Sequence, residues 1–375
     1  MAPKKNGFSA FLLHCKNEEL KNGRNINMKD LVDELEPIWK DMNDEKKNVY
    51  KKMAAELNAR QTKAHTPQQI ERLHENSDDY WMMQTYVEKM FQFIPDNDQL
   101  LKRKFMLLHI NCHAHDGEQY YFPAEISALE FSLLKGVTRM YHKIIGISKI
   151  YPKGFAGGMR EHSDKFHQIS CWDEHSDNYN EILLELLSFL KDGQVFNSDL
   201  VEGKLDLPYM FTIETESGSN MMNAKSSLET LYSTVFPEHT SERYKSLFKM
   251  GSVERLFNEI LKRFNIHLDE RYIRSGMTIH DILESDIYGH GLGCMYHELK
   301  EIAYKCSKSR ILQWMSNMCK HIHDYTGLEL IPGRHVAVLL RDGSRMIIEN
   351  EEVPLTRTDL KMKSLTEYID YQEDF

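Results

Sequence analysis

"KFMLLHINCHAHDGEQYYFPAEISALEFSLLKGVTRMYHKII", residues 104–145, decides the fold. It contains three runs of strand length. The first, 104–114, is an apolar run that meets "HDGEQ", whose Asp-Gly step is a hairpin signal. The second, 122–136, mixes Phe, Ile and Leu with small residues and ends in Gly. The third, 137–145, is rich in β-branched and aromatic residues. Sequential strands joined by short turns predict an antiparallel meander.

Beyond residue 145 the hydrophobic period changes. "NYNEILLELLSFLKDG" (178–193) reads as a helix closed by Gly, "LPYMFTIE" (207–214) as a strand, and "NAKSSLETLYSTVF" (223–236) and "SVERLFNEILKRFN" (252–265) as helices. A meander followed by alternating helices and strands predicts a mixed α/β sheet with helices on its faces. That order resembles ribonuclease H-like and DnaQ-type exonuclease folds. Such enzymes hold two divalent ions about 3.5–4 Å apart on carboxylates, one pair of them on the first strand. Here the alternating positions hold Asn111 and His113, and Asp116 falls in the turn. Magnesium demands hard anionic oxygen ligands. A nuclease-like fold without two-metal chemistry is therefore expected.

A second stretch, "HGLGCMYHELKEIAYKCSKSRILQWMSNMC" (290–319), gathers three of the six cysteines. Cys294 and His297 stand at C-x-x-H spacing, and Cys306 follows nine residues later. Nine residues on one straight helix span about 13–14 Å, too far for one ion. Shared ligation thus requires a bend between Met295 and Lys305, which no Pro or Gly marks, and a new helix from about Cys306. Two readings stand: three core side chains, or a zinc site whose fourth ligand comes from elsewhere. His290, four residues before Cys294, is an alternative ligand.

Working towards the N-terminus, three helical stripes occupy the first 60 or so residues: Phe8, Phe11, Leu12 and Cys15; Met28 to Trp39; Val49, Tyr50, Met53, Ala54 and Leu57. "PKKNGFSAFLLHCKNE" and "PIWKDMNDEKKNVYKKMAAEL" resemble an HMG box over residues 3–64, a small all-α three-helix domain. The resemblance implies minor-groove binding with an apolar wedge. It places the wedge at Leu12, beside Phe8, and the backbone contacts at Lys4 and Lys5. Core packing is the simpler role of Phe8, Phe11, Trp39 and Tyr50. "KNEEL" stands where such boxes carry an Arg-rich helix, and Asn6 where a Pro is common. Structured or bent nucleic acid is thus a better match than sequence-selective DNA. The charge agrees: through Arg72 there are 14 basic against 11 acidic residues, and beyond it 33 against 46. The head is mildly basic and the body acidic, which argues against strong electrostatic binding to duplex DNA.

"YYFPAEISALEFSLLKGVTRMYHKII" together with "CMYHELKEIAYKCSKSRILQW" resembles the Maelstrom domain, so the whole chain resembles the Maelstrom family: HMG box 1–66, linker 67–80, Maelstrom domain 81–355 and flexible tail 356–375. The resemblance implies a Glu-Cys-His-Cys set, which falls on Glu125, Cys294, His297 and Cys306, holding a structural Zn²⁺. It implies a germline piRNA-pathway factor that represses transposable elements, in nucleus, cytoplasm and perinuclear granules. Its partners would be DNA or structured RNA at the box, and single-stranded RNA and pathway proteins at the larger domain. The alternatives are a single-stranded RNA endonuclease with a non-two-metal mechanism and a conventional transcription factor. No membrane segment or signal peptide is expected, and the cysteines read as reduced. "GFAGG" (154–158) reads as a flexible turn, and the histidines of "REHSDKFHQ" and "DEHSDN" as solvated surface.

Overall fold

In the computed structural model of the chain, the described residues are 78–115, 121–147, 156–201, 205–214, 220–239, 247–267, 278–285, 291–339 and 345–347, with scattered positions between 8 and 52. Lys4, Lys5, Asp116, His290, most of the 67–80 stretch and the 356–375 tail lie outside them. The chain divides into two compact units, residues 1–75 and 76–375.

In the first unit Phe11, Leu12 and Leu35 are buried together, with Phe8, Cys15, Trp39, Met42 and Tyr50 packed around them. The rings of Phe11 and Trp39 stack at 5.6 Å, and Tyr50 meets Phe11 edge-on at 5.1 Å. Offset and edge-on contacts are the arrangements that the ring quadrupole favours. Leu12 belongs to this cluster, so it would have to turn outward to reach a base step.

In the second unit α1 (Asp78–Gln92) begins inside the stretch read as linker, and α2 (Asn97–Lys102) follows, capped by Asp96. Next come β1 (Phe105–His115), β2 (Tyr121–Ser132), β3 (Gly136–Ile144), α3 (Ala156–Lys165), α4 (Tyr179–Lys191), α5 (Asn197–Val201) and β4 (Met210–Thr212). The chain continues with α6 (Met221–Val235), β5 (Met250–Ser252), α7 (Val253–Arg263), α8 (Ile279–Leu283), α9 (Met295–Leu299), a 3-10 turn (Ala303–Lys305) and α10 (Ser307–Thr326). A small hairpin, β6 (Val338–Leu339) with β7 (Arg345–Met346), follows.

The main sheet has the order β3-β2-β1-β4-β5. The meander is antiparallel, while β4 pairs parallel to β1 and β5 parallel to β4. Side chains alternate between faces along a strand, and β1 shows what each face meets. Cys112 touches Ser227 on α6, whereas His109 and Asn111 reach Ser307 and Lys305 at the start of α10. The sheet is thus sandwiched between α6 and α10. Thirteen side chains of α10 are buried, among them the polar Ser307, Ser309, Gln313, Ser316, Asn317 and His321.

Three sequence expectations are corrected. Residues 156–158 of the "GFAGG" stretch open α3 instead of forming a turn; a Cβ at Gly157 or Gly158 would meet nothing within 4 Å, so glycine there neither clashes nor anchors. Buried Met159 and Ser163 hold that helix down. His167, read as solvated, is fully buried. Strand β5 was not anticipated, because three residues carry too little period to detect.

Candidate metal centre

The loop before α9 folds tightly around Gly293. Its N–H donates to Glu298 Oε1 at 2.6 Å, and a Cβ there would lie 2.8 Å from the same oxygen. Cys294 caps α9, so the C-x-x-H step is a single helical turn, with His297 N–H donating to Cys294 O at 3.1 Å. The required bend then occurs at Glu301, whose φ of 58° is left-handed. A non-glycine residue pays for that conformation, which is why no sequence signal announced the bend. The 3-10 turn follows, and Cys306 caps α10. Both Cys294 and Cys306 therefore sit at helix N-termini.

Glu125 comes from β2. It is fully buried and directly opposite Asn111 in the β1 register. Its Oε2 accepts from Asn111 Nδ2 at 2.9 Å and from the backbone N–H of Ser307 at 2.8 Å. Its Oε1 is left for the cluster. Around that one atom lie His142 Nε2 at 2.8 Å, Cys306 Sγ at 3.0 Å, His297 Nδ1 at 3.5 Å and Cys294 Sγ at 3.8 Å. Cys294 Sγ and His297 Nδ1 are 3.1 Å apart. All four residues expected as ligands are brought together. The fifth, His142 of β3, was missed in the sequence. His142 pairs with Ser127 in the β2–β3 register, which makes it the diagonal neighbour of Glu125 on the same face. Only correct strand register reveals it.

The electrostatics follow from this crowding. Burial alone would raise the Glu125 carboxyl; the His142 hydrogen bond, the imidazole charges and the Ser307 N–H hold it well below the usual range. Burial would lower His142, but its bonds to Cys294 and Glu125 overcome this and raise it to about 9. The hydrogen bond with Cys306 pulls Cys294 down to about 3 against burial, while burial pushes Cys306 well up. His297 is raised despite burial, chiefly by its bond to Cys294. Its Nε2 meets His167 O at 3.0 Å, so Nδ1 is turned to the cluster. A histidine anchored through one ring nitrogen to a carbonyl, with the other facing soft donors, is the usual arrangement of a metal ligand.

The donor set fits a zinc-class ion: one carboxylate, two sulfurs and imidazole nitrogen, in a buried pocket. The donor atoms of Glu125, His142, Cys294 and Cys306 all lie within 4.8 Å of one another, a grouping that no other set of described residues matches. It does not fit paired magnesium ions, which need several hard oxygens. The alternating positions of β1 are engaged in structural hydrogen bonds. Asn111 Nδ2 also donates to Lys305 O at 2.9 Å, tying β1 to the turn before α10. His113 Nε2 meets Ile145 O at 2.9 Å, and His109 Nδ1 meets Ser307 Oγ at 2.8 Å. Burial pushes His109 down to about 3, so it is a neutral hydrogen-bonding strut.

Comparison with known proteins gives a consistent result. A family model described as "Maelstrom: piRNA pathway germ-plasm component" matches residues 116–338. The chain is similar to protein maelstrom 2 of Drosophila pseudoobscura pseudoobscura, 24% identical over 363 residues, covering 89% of this chain and 91% of that protein. It is similar to the maelstrom homolog of Culex quinquefasciatus, 24% identical over 260 residues, covering 68% and 47%. It is also similar to protein maelstrom of Drosophila melanogaster, 20% identical over 347 residues, covering 90% and 72%.

Proposed function

Because the chain belongs to the Maelstrom family, we propose that it is a germline piRNA-pathway factor that represses transposable elements as a nucleic-acid-binding scaffold. Its second unit is a ribonuclease H-like domain whose catalytic positions have been given over to structure. The strand order β3-β2-β1-β4-β5, with only β2 antiparallel to β1, supports that topology. The observation that carries the reading is Asn111. It occupies the place of a nuclease carboxylate and spends its amide on Glu125 and Lys305.

Glu125, Cys294, His297 and Cys306 would hold Zn²⁺, which supplies a cross-link between the meander and the C-terminal helices. Site closure then maintains a rigid surface for single-stranded RNA and pathway proteins. The first unit, with Lys4, Lys5, Phe8 and Leu12, contacts DNA or structured RNA, and the protein works in the nucleus and in perinuclear granules. Among the described residues no helix is long and apolar enough to cross a membrane.

The test is to incubate the purified full chain with labelled single-stranded RNA, with and without Mg²⁺, after measuring its zinc. Retained RNA of unchanged length, with about one zinc per chain, is expected. Mg²⁺-dependent trimming would overturn the scaffold reading, and Mg²⁺-independent internal cuts would favour the endonuclease.

A further inference from the structure

We propose that His142 is itself a metal ligand, so that the site has five protein donors, one more than the set the resemblance implies. This rests on the zinc reading above and deepens it. Three observations carry it. His142 Nε2 is the atom nearest to Glu125 Oε1 among the four donors around it, at 2.8 Å. With Glu125, Cys294 and Cys306 it forms the group whose donor atoms lie within 4.8 Å of one another, whereas His297 joins through Nδ1, 3.5 Å from Glu125 Oε1 and 3.1 Å from Cys294 Sγ. It comes from β3, an element that holds none of the other donors, and β-sheet register fixes it diagonally to Glu125.

His142 also differs from the others in access. Its side chain retains 19% exposure, whereas those of Glu125 and His297 retain none. The other donors face the interior between sheet and α10, and His142 covers the side towards solvent. Structural zinc sites are almost always four-coordinate, and zinc expands to five-coordinate in some catalytic sites, so a five-donor site here departs from the structural norm. A fifth donor at this partly wet edge closes a position through which water or a competing chelator would reach the ion, and the ion would enter and leave past this imidazole.

A group that merely orients Glu125 by hydrogen bonding would also weaken zinc binding when removed, by about 10–100-fold. Affinity alone therefore does not separate a ligand from a positioning residue. The deciding measurement uses the full chain loaded with spin-active cadmium and carrying nitrogen-labelled histidine. A ligating imidazole nitrogen shows a scalar splitting from the metal; a hydrogen-bonded one does not. Two split histidine nitrogens are expected. One disappears in both His142→Ala and His142→Gln, although Gln retains an amide able to donate to Glu125, and zinc is lost to chelator faster in both. A single split nitrogen that survives in His142→Gln overturns the proposal. A wild-type chain that binds no zinc, and melts identically with and without chelator, fails at the prior step and defeats the zinc reading before any variant is made. His142→Gln, at a partly exposed strand position, keeps the test open if His142→Ala does not fold.

Discussion

Glu125 Oε1 lies 3.0 Å from the Sγ of Cys306, a residue 181 positions further along the chain. The contact joins the second strand of the meander to the N-cap of the buried C-terminal helix, and it brings together a carboxylate and a sulfur that are both fully buried. Cys306→Ser keeps the shape but replaces a soft donor with a hard, poorly ionising one. It should drop bound zinc well below one per chain and destabilise the second unit by about 3 kcal/mol, as breaking a buried charged cluster does. That is roughly 6–12 °C in Tm for a domain of this size. Thermal melts with and without chelator check this: the difference between variant and wild type should vanish once metal is stripped.

Asn111 separates the scaffold and nuclease readings more sharply. Asn111→Asp places a carboxylate where the nuclease resemblance would put one. It also removes the amide that donates to Glu125 Oε2 and Lys305 O, both at 2.9 Å, and sets an acceptor against each. Buried groups left unpaired cost about 1–3 kcal/mol each, so the variant should lose about 2–5 kcal/mol in urea unfolding. No Mg²⁺-dependent cleavage should appear, because a single added carboxylate cannot hold two hard ions. A stable, Mg²⁺-dependent nuclease would show that the position still belongs to a catalytic site.

What was legible in the sequence was local. The meander was legible because three runs of strand length, nine to twelve residues in the fold, are separated by short turn signals. Cys294 and His297 were legible as a pair because C-x-x-H fixes one turn of chain, and Cys306 stood near them in sequence, with two readings left open. Glu125 was not given by spacing at all; it came from the Maelstrom resemblance. His142 was illegible because only the β2–β3 register places it beside Glu125, and Glu301 because a left-handed glutamate leaves no mark in composition. The buried histidine misread as surface, His167, has a local cause. His167 sits in a polar stretch, yet its carbonyl receives His297 and its ring receives Ile169 N–H at 3.0 Å.

Gly136 opens β3 with a φ of 68°, and a Cβ there would stand 2.5 Å from the backbone of Arg334. Val137 N–H donates to Arg334 O at 3.1 Å across the same approach. Gly136→Ala must therefore strain the strand start and push away the 331–336 loop together. The left-handed conformation alone costs about 1–2 kcal/mol. The expected total is above 2 kcal/mol, seen as a lowered urea midpoint with an unchanged slope. Gly157→Ala, at an open helical position, should be neutral or slightly stabilising and serves as the control.

Away from the metal centre, Glu130 makes a contribution to stability that depends on pH. Burial alone would raise its carboxyl; the bonds from Arg139, Lys104 and Thr138 outweigh that and hold it at about 2. Arg139 Nη2 reaches Glu130 Oε2 at 2.7 Å, Lys104 Nζ reaches Oε1 at 2.9 Å, and Thr138 Oγ1 donates to Oε1 at 2.7 Å. A carboxyl depressed by folding contributes stability that is fully present above its unfolded pKa, near 4.3 for glutamate. That contribution falls away as pH drops from about 4.3 towards 2, where the folded group also takes up its proton. The gap in stability between wild type and Glu130→Gln should therefore be flat from about pH 6 to 8 and narrow progressively below about pH 4.5. Added salt should reduce it only slightly, since the side chain of Glu130 is 8% exposed. Urea midpoints measured across pH 3–8 for both proteins check the sign; a gap that widens on acidification would mean that the Arg139 and Lys104 contacts do not hold the carboxylate in the folded state.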